Sequence, residues 1–425
     1  MVELCALRDG EHTVVDGVVA CRYWQALRHL AEVLLSLFVK SDMNEFEFLS
    51  VSSLCVKKGG ANALHNYIHK LGCQRPFILT DAGLMSAGVL AGSLASLTAN
   101  EIVFQIFSDV VADPTESVVY EAVSQAIAFG ADCVVGFGGG SSMDVAKLVA
   151  LLAKSQRRLD DIYGVNVATG SRLPLLLVPT TAGTGSEVTT ISIVTTEGDE
   201  KKGVVSPLLL PDISLLDATL TVGLPKNITA ATGIDAMVHA IEAFTSRIRK
   251  NPVSDCLAKQ GLSLLAGSIH TACNDGKNID ARERMLLGAC LAGIAFANSP
   301  VAAVHALAYP LGAIFHIPHG LANSLVLSAV LKFNVTHATP EYAEIYDVIC
   351  PGGDGSEHEK ALKLIDYVTE LPAALGLPTT LRAFSITHAD LPRLAADAMK
   401  QQRLLMNNPR EMTEASALEI YESVL

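Results

Sequence analysis

Between about residues 46 and 220 the chain alternates short apolar runs with segments of helical period. Residues 76–80, 101–107, 132–138 and 173–179 read as strands, and intervening stretches such as residues 117–130 read as helices. Strands alternating with helices in this way pack as a parallel sheet covered on both faces. From about residue 222 to the end, apolar positions recur at helical spacing with few strand-like runs, which predicts an all-α part. The expected layout is an N-terminal extension over 1–45, an α/β domain over 46–221 and a helical domain over 222–425, with ligands in the cleft between the last two. In the extension, Trp24, Leu27, Leu34, Leu35 and Phe38 place an amphipathic helix over 22–40, packed on its own or a neighbouring subunit and carrying no chemistry. Gly352, Gly353 and Gly355 mark residues 351–356 as a surface loop.

The mean hydropathy of +0.37 is concentrated in residues 285–331, where 47 positions contain no Lys, Arg, Asp or Glu. The purely apolar run over 285–297 is shorter than the roughly 20 residues that cross a bilayer, and Asn298, Pro300, Pro310 and three histidines interrupt the remainder of the segment. A buried core is expected there, not a membrane span. The 425 residues are half hydrophobic and 18% charged, which excludes disorder and suits one large or two ordinary globular domains. A net charge of −13 argues against a nucleic-acid partner. Glu3, Arg8, Asp9 and Glu11 stand where a secretory signal needs an apolar segment, and nine cysteines without CxxC spacing point to reduced thiols in a cytoplasmic setting.

The first candidate for chemistry comes after the run 132–135. Gly138, Gly139, Gly140, Ser141 and Ser142 form a strand-to-helix turn, with Asp144 and Lys147 on the helix behind it. Glycines there let backbone N–H groups approach a diphosphate, which the helix N-terminus also favours. The spacing matches neither GxGxxG nor a P-loop, and a tight turn without ligand is the competing reading. A second loop, with Thr180, Thr181 and Thr184, also comes after a predicted strand; it suits nucleotide contacts, or is simply a capped loop. Asp81 ends the strand over 76–80. It either accepts the ribose hydroxyls of NAD and disfavours NADP, or caps a helix; it precedes Gly138 by 57 residues, unlike the acid of the dinucleotide fingerprint.

Asp235 and His239 are four residues apart, so both project from one helix face and suit a divalent ion, although such a pair alone can be a surface hydrogen bond. The charge-free segment supplies His305, His316 and His319, rings that need partners in apolar surroundings. His305 and His319 are the expected ligands, since His316 lies just before the Ile317-Pro318 break and reads as a satisfied pocket or core histidine. One Asp with three His gives a mixed N/O shell suited to Fe²⁺, Zn²⁺ or a similar ion.

Taken together, these motifs resemble the iron-containing (group III) alcohol dehydrogenase family from about Phe48 to the C-terminus. The resemblance is carried by Gly138 to Ser141 with Asp144, Ala146 and Lys147; by Pro179 to Glu187; by Leu210-Pro211-Asp212; by Gly233 to Glu242; and by His305 to Asn323. It implies the dehydroquinate synthase-like fold: an α/β nucleotide-binding domain followed by an all-α metal-binding domain. It also implies NAD, with NADP second, and one divalent ion, Fe²⁺ first and Zn²⁺ second. The family's metal ligands fall on Asp235, His239, His305 and His319, and its diphosphate loop on Gly138 to Ser142. Its nucleotide contacts fall on Thr180, Thr181 and Thr184, and its ribose acid on Asp81.

One position departs from the family. Many members carry a second histidine four residues after the first of the last motif, where it relays protons beside the nicotinamide; here that residue is Tyr309. Tyr309 shares a helical face with His305, so it is expected to point into the site, and both are taken as catalytic. Hydroxyacid-oxoacid transhydrogenases resemble this chain in having Tyr there.

The implied activity is metal-assisted hydride transfer between a small alcohol, aldehyde or hydroxy acid and nicotinamide, in a homodimer or higher homo-oligomer without membrane or nucleic-acid partners. The alternatives are a hydroxyacid-oxoacid transhydrogenase or a metal-free enzyme of maleylacetate-reductase type. A lyase of the dehydroquinate synthase type and a non-catalytic nucleotide-binding protein stand further away.

Overall fold

Among the described residues, nine short strands precede the helical part: β1 (Ser53–Val56), β2 (Pro76–Leu79), β3 (Gln105–Phe107), β4 (Cys133–Gly138), β5 (Gly164–Val165), β6 (Leu175–Pro179), β7 (Ile191–Thr195), β8 (Lys201–Val205) and β9 (Ile213–Leu216). The computed structural model describes residues 45–155, 157–196 and 200–425. The amphipathic helix expected over 22–40 lies outside them. Residues 47–425 form one compact unit.

Six strands make a wholly parallel sheet in the order β1-β9-β6-β4-β2-β3. Its central strands β2, β4, β6 and β9 are buried along their whole length, which explains the apolar runs of β2, β4 and β6, whereas β9 buries Ser214 with its hydroxyl donating to the Glu187 carbonyl. Helices Glu116–Phe129 and Gly140–Ser155 cover one face, and Leu64–Lys70 and Ala91–Ala99 cover the other. A second sheet orders β5-β8-β7, with β7 and β8 antiparallel. Periodicity does not reveal β1, β5, β7, β8 or β9. β1 alternates between half-buried and exposed, and β8 begins Lys201-Lys202-Gly203, so neither presents an apolar run. The strand expected over 101–107 shortens to its last three residues.

All described elements from Lys226 on are helical. The helix Lys226–Thr245 is buried over most of its length and packs against Pro252–Ala266, Ile279–Asn298 and His319–Asn334. The charge-free segment fills this core. Among the described residues no single helix is long and apolar enough to cross a membrane; Ile279–Asn298 and Ala303–Phe315 pass that test only as a pair bent by 105°. Pro310 does not end the helix Ala303–Phe315 but lies buried within it. Nearby, the Tyr421 hydroxyl donates to the Leu307 carbonyl at 2.6 Å, so that carbonyl has a partner beside the proline. Residues 351–356 form the expected surface turn, with Gly352 and Gly355 at positive φ.

Candidate active site

Parallel pairing aligns Gly138 at the end of β4 with Pro179 at the end of β6, so the two loops that leave these strands emerge side by side. The Thr180 N–H donates to the Gly138 carbonyl at 3.0 Å. A Cβ on Gly138 would meet Ser142 Oγ at 2.6 Å, and one on Gly140 would meet Thr184 Cγ2 at 2.9 Å. Gly138 thus lets the turn close on Ser142, and Gly140 lets it approach Thr184 of the second loop. The helix Gly140–Ser155 starts inside this turn, aiming its free N–H groups at the space beside Thr184. Such a strand-end crevice in a parallel sheet is where nucleotides bind.

Behind the loops, the fully buried Lys147 ammonium donates to Ser186 Oγ at 2.8 Å, Thr189 Oγ1 at 3.0 Å and the Ile191 carbonyl at 2.8 Å. All three of its protons are thus used within the protein, and Lys147, expected among the cofactor contacts, lies off the cavity wall. Asp144 does reach the wall; it accepts from Ser186 Oγ and from the Ile193 N–H, with Lys147 at 3.6 Å. Asp81 caps the short helix Ala82–Ser86 by accepting the Leu84 N–H at 2.9 Å. Its capping reading is what the geometry displays.

Asp235, His239, His305 and His319 each bring one ligand atom within 4.8 Å of all the others. Asp235 and His239 come from the helix Lys226–Thr245, His305 from the first turn of Ala303–Phe315, and His319 from the first residue of His319–Asn334. The Ile317-Pro318 break restarts the helix at His319 and leaves His316 exposed in the left-handed region, at φ 54°. His316 is thus neither a ligand nor a core histidine. The His239 ring stacks between Phe296 and His305, at centroid distances of 4.3 and 4.7 Å.

The hydrogen bonds orient the donors. Glu242 Oε2 lies 2.6 Å from Nδ1 of His305, and the same carboxylate accepts the backbone N–H groups of Ala302 and Val304. With Nδ1 donating to Glu242, the His305 Nε2 lone pair faces the cluster. There the Asn323 Nδ2 approaches Asp235 Oδ1 at 2.6 Å and Nε2 of both His305 and His319 at 3.3 Å. One amide thus serves three acceptors, an electron-rich arrangement that fits a divalent cation with N and O ligands. Burial pushes His239 down to about 3, so its ring is neutral and able to ligate at neutral pH. Burial alone would raise the Asp235 carboxyl; His239, His319, His305 and the Asn323 amide hold it below its ordinary value.

Tyr309 points into the same space, its ring 5.9 Å from that of His319. Burial raises its phenol above the ordinary value, with the Arg403 charge acting in the opposite direction. A cavity of about 450 Å³ joins these groups: Gly140, Ser141 and Thr184 line it on one side, and His239, His305, Tyr309 and His319 on the other. Glu242 and Asn323 acquire their roles only in the fold. Glu242 stands at i+7 from Asp235 and i+3 from His239, on the face of one helix, and that spacing is the signal the sequence offers for it.

A parallel α/β sheet followed by a wholly helical part is the dehydroquinate synthase-like arrangement seen in iron-containing alcohol dehydrogenases. Residues 52–218 match the iron-containing alcohol dehydrogenase model, and residues 229–425 match the C-terminal model of the Fe-containing alcohol dehydrogenase family. Sulfoacetaldehyde reductase of Bilophila wadsworthia (strain 3_1_6) is 35% identical over 382 residues, 89% of this chain and 98% of that protein. The crystal structure of a 1,3-propanediol oxidoreductase superposes with a TM-score of 0.87 at 32% identity, covering 90% of this chain and 100% of that one. Sulfoacetaldehyde reductase from Bifidobacterium kashiwanohense in complex with NAD+ has a TM-score of 0.80 at 26% identity, over 90% and 99% of the two chains. The chain belongs to the iron-containing alcohol dehydrogenase family and is an oxidoreductase acting on CH–OH groups.

Proposed function

We propose that the protein interconverts a small alcohol or hydroxy acid and its carbonyl partner, with NAD as hydride carrier and one divalent ion, Fe²⁺ first, held by Asp235, His239, His305 and His319. The observation that carries this reading is that Gly140, Ser141 and Thr184 of the two loops and His239, His305 and His319 of the four-donor cluster line one cavity. When bound, the ion supplies Lewis acidity toward the substrate oxygen, and the nicotinamide accepts or returns the hydride.

The protein's own groups do the positioning. The backbone N–H groups of Gly138 to Ser142 hold the diphosphate, Thr180, Thr181 and Thr184 orient the nicotinamide half, and Asp81, which caps its helix through Oδ1, reads the adenosine ribose through its other carboxylate oxygen. Residues 46–221 act as the nucleotide domain and residues 222–425 as the metal domain. Glu242 fixes the His305 tautomer, and Asn323 steers the cluster's lone pairs. Phe296 and Val301 on the wall limit water. Tyr309 keeps its proton at neutral pH and presents Oη as donor to the reacting oxygen, through which a proton leaves or returns. The same reading makes the protein a cytoplasmic homodimer or higher homo-oligomer without nucleic-acid or membrane partners.

Tyr309 also supports a second reading, hydroxyacid-oxoacid transhydrogenase, in which the cofactor is recycled without leaving. An alcohol and aldehyde screen followed by NADH absorbance, run beside elemental analysis, tests the first reading. Steady NADH formation with about one Fe or Zn per chain supports it. A single turnover that continues only on adding an oxoacid favours the second.

A further inference from the structure

The side of the cavity nearest Tyr309 carries positive charge that neither the cluster nor the loops use. The helix Gln402–Leu405 packs against Ala303–Phe315 and places Arg403 on the cavity wall, close enough for its charge to act on the Tyr309 phenol. The segment after Lys226–Thr245 brings Ile248 and Arg249 to the same wall. Asn407 locks these two segments together. Its carbonyl accepts the Arg247 N–H at 2.8 Å, and its buried amide donates to the Arg403 carbonyl at 3.1 Å and the Val301 carbonyl at 3.0 Å.

The other charges on the wall are mostly answered. Asp113 pairs with Lys201 at 2.6 Å, and Asp144 pairs with Lys147. Among the described residues, Arg249 and Arg403 take part in no ion pair and in no side-chain hydrogen bond, and Glu47 is the one acid on the wall in the same state. Two forked guanidinium groups that remain solvated beside a reacting centre suit a planar or tetrahedral oxyanion.

We infer that the substrate carries an anionic group, a carboxylate or sulfonate, which Arg403 and Arg249 bind while the carbonyl or hydroxyl carbon lies between Tyr309 and the nicotinamide. This rests on the dehydrogenase reading and narrows its substrate class. The size of the cavity, which must also admit the nicotinamide, limits the substrate to a short chain. The anion adds binding rather than chemistry, so its loss raises KM more than it lowers kcat.

The test compares sulfoacetaldehyde, succinate semialdehyde and the neutral butanal as substrates for the metal-loaded full-length protein, with NADH as reductant. Both anions, or one of them, should exceed butanal in kcat/KM by about tenfold or more, the two anionic arms separating sulfonate from carboxylate. Arg403→Gln and Arg249→Gln should each cut the anion-to-butanal ratio by about tenfold through KM. Thermal melting and circular dichroism of the variants check their fold. A ratio near one in the unaltered protein, or unchanged in both variants, overturns the inference. So does a rise in the KM for NADH alone, which would assign the arginines to the cofactor. Calorimetric binding of the unreactive propanesulfonate, weakened in both variants while no aldehyde turns over, would retain the anion site and overturn the dehydrogenase reading instead.

Discussion

Glu242 and His305 meet at 2.6 Å through Oε2 and Nδ1, and the carboxylate simultaneously accepts two backbone N–H groups at the start of the helix that carries His305. One side chain thereby sets both the tautomer of a metal-site histidine and the entry angle of its helix. Replacing Glu242 with Ala leaves three buried donors unpaired. The expected result is a drop of about 10- to 100-fold in metal affinity, together with a loss of about 2–5 kcal/mol in stability. Metal titration and thermal melting check the two effects. Glu242→Gln, which keeps an acceptor, should recover part of both; a variant with unchanged metal affinity contradicts the orienting role.

Gly185 has φ +59°, and a Cβ there would stand 2.6 Å from the Gly293 Cα. The loop that carries Thr184 is held against the helix Ile279–Asn298 by this backbone-to-backbone approach. Gly185→Ala should cost about 3 kcal/mol, from left-handed strain and forced separation together. Denaturant unfolding measures the loss, and a cost below about 1 kcal/mol would show that the two segments separate freely.

Burial pushes the Glu187 carboxyl from 4.5 up to about 7, with Lys147 opposing the shift. The unfolded chain loses this proton first as pH rises, while the folded protein retains it until about pH 7. The stability contributed by the neutral form is therefore complete below pH 4.5 and lost as pH climbs to about 7, a change of about 3 kcal/mol. Glu187→Gln should flatten that part of the stability profile. Urea unfolding at several pH values checks this, and parallel profiles for the two proteins would contradict it.

Tyr309→Phe removes the hydroxyl but not the ring beside His319. The variant should keep its metal and lose about 10²-fold in kcat, with an altered dependence of rate on pH. An unchanged pH profile would make Tyr309 a piece of pocket wall.

Particular residues show how far the sequence reaches. Strands β2, β4 and β6 are visible because burial on both faces favours apolar runs, and β4 and β6 carry the two cofactor loops at their ends. Asp235 and His239 are visible from helical spacing, and His305 and His319 because imidazoles stand out in a charge-free background. Edge strand β1 and the small sheet are hidden, since half-exposed strands carry mixed residues. Lys147 illustrates a different limit: its place in a cofactor motif suggests a ligand contact, but its partners at Ser186, Thr189 and Ile191 are fixed only by the fold. Arg249 and Arg403 share a wall because of the Asn407 hydrogen bonds, and no spacing along the chain announces that.

The central claim is that hydride transfer to nicotinamide depends on an ion held by Asp235, His239, His305 and His319. Chelation of the purified protein to below about 0.05 metal per chain, followed by NADH-linked assay before and after adding Fe²⁺ or Zn²⁺, tests it most directly. The account predicts that activity disappears with the metal and returns on its addition, and that His239→Ala keeps its fold but regains nothing. Undiminished turnover by the metal-free protein would contradict it.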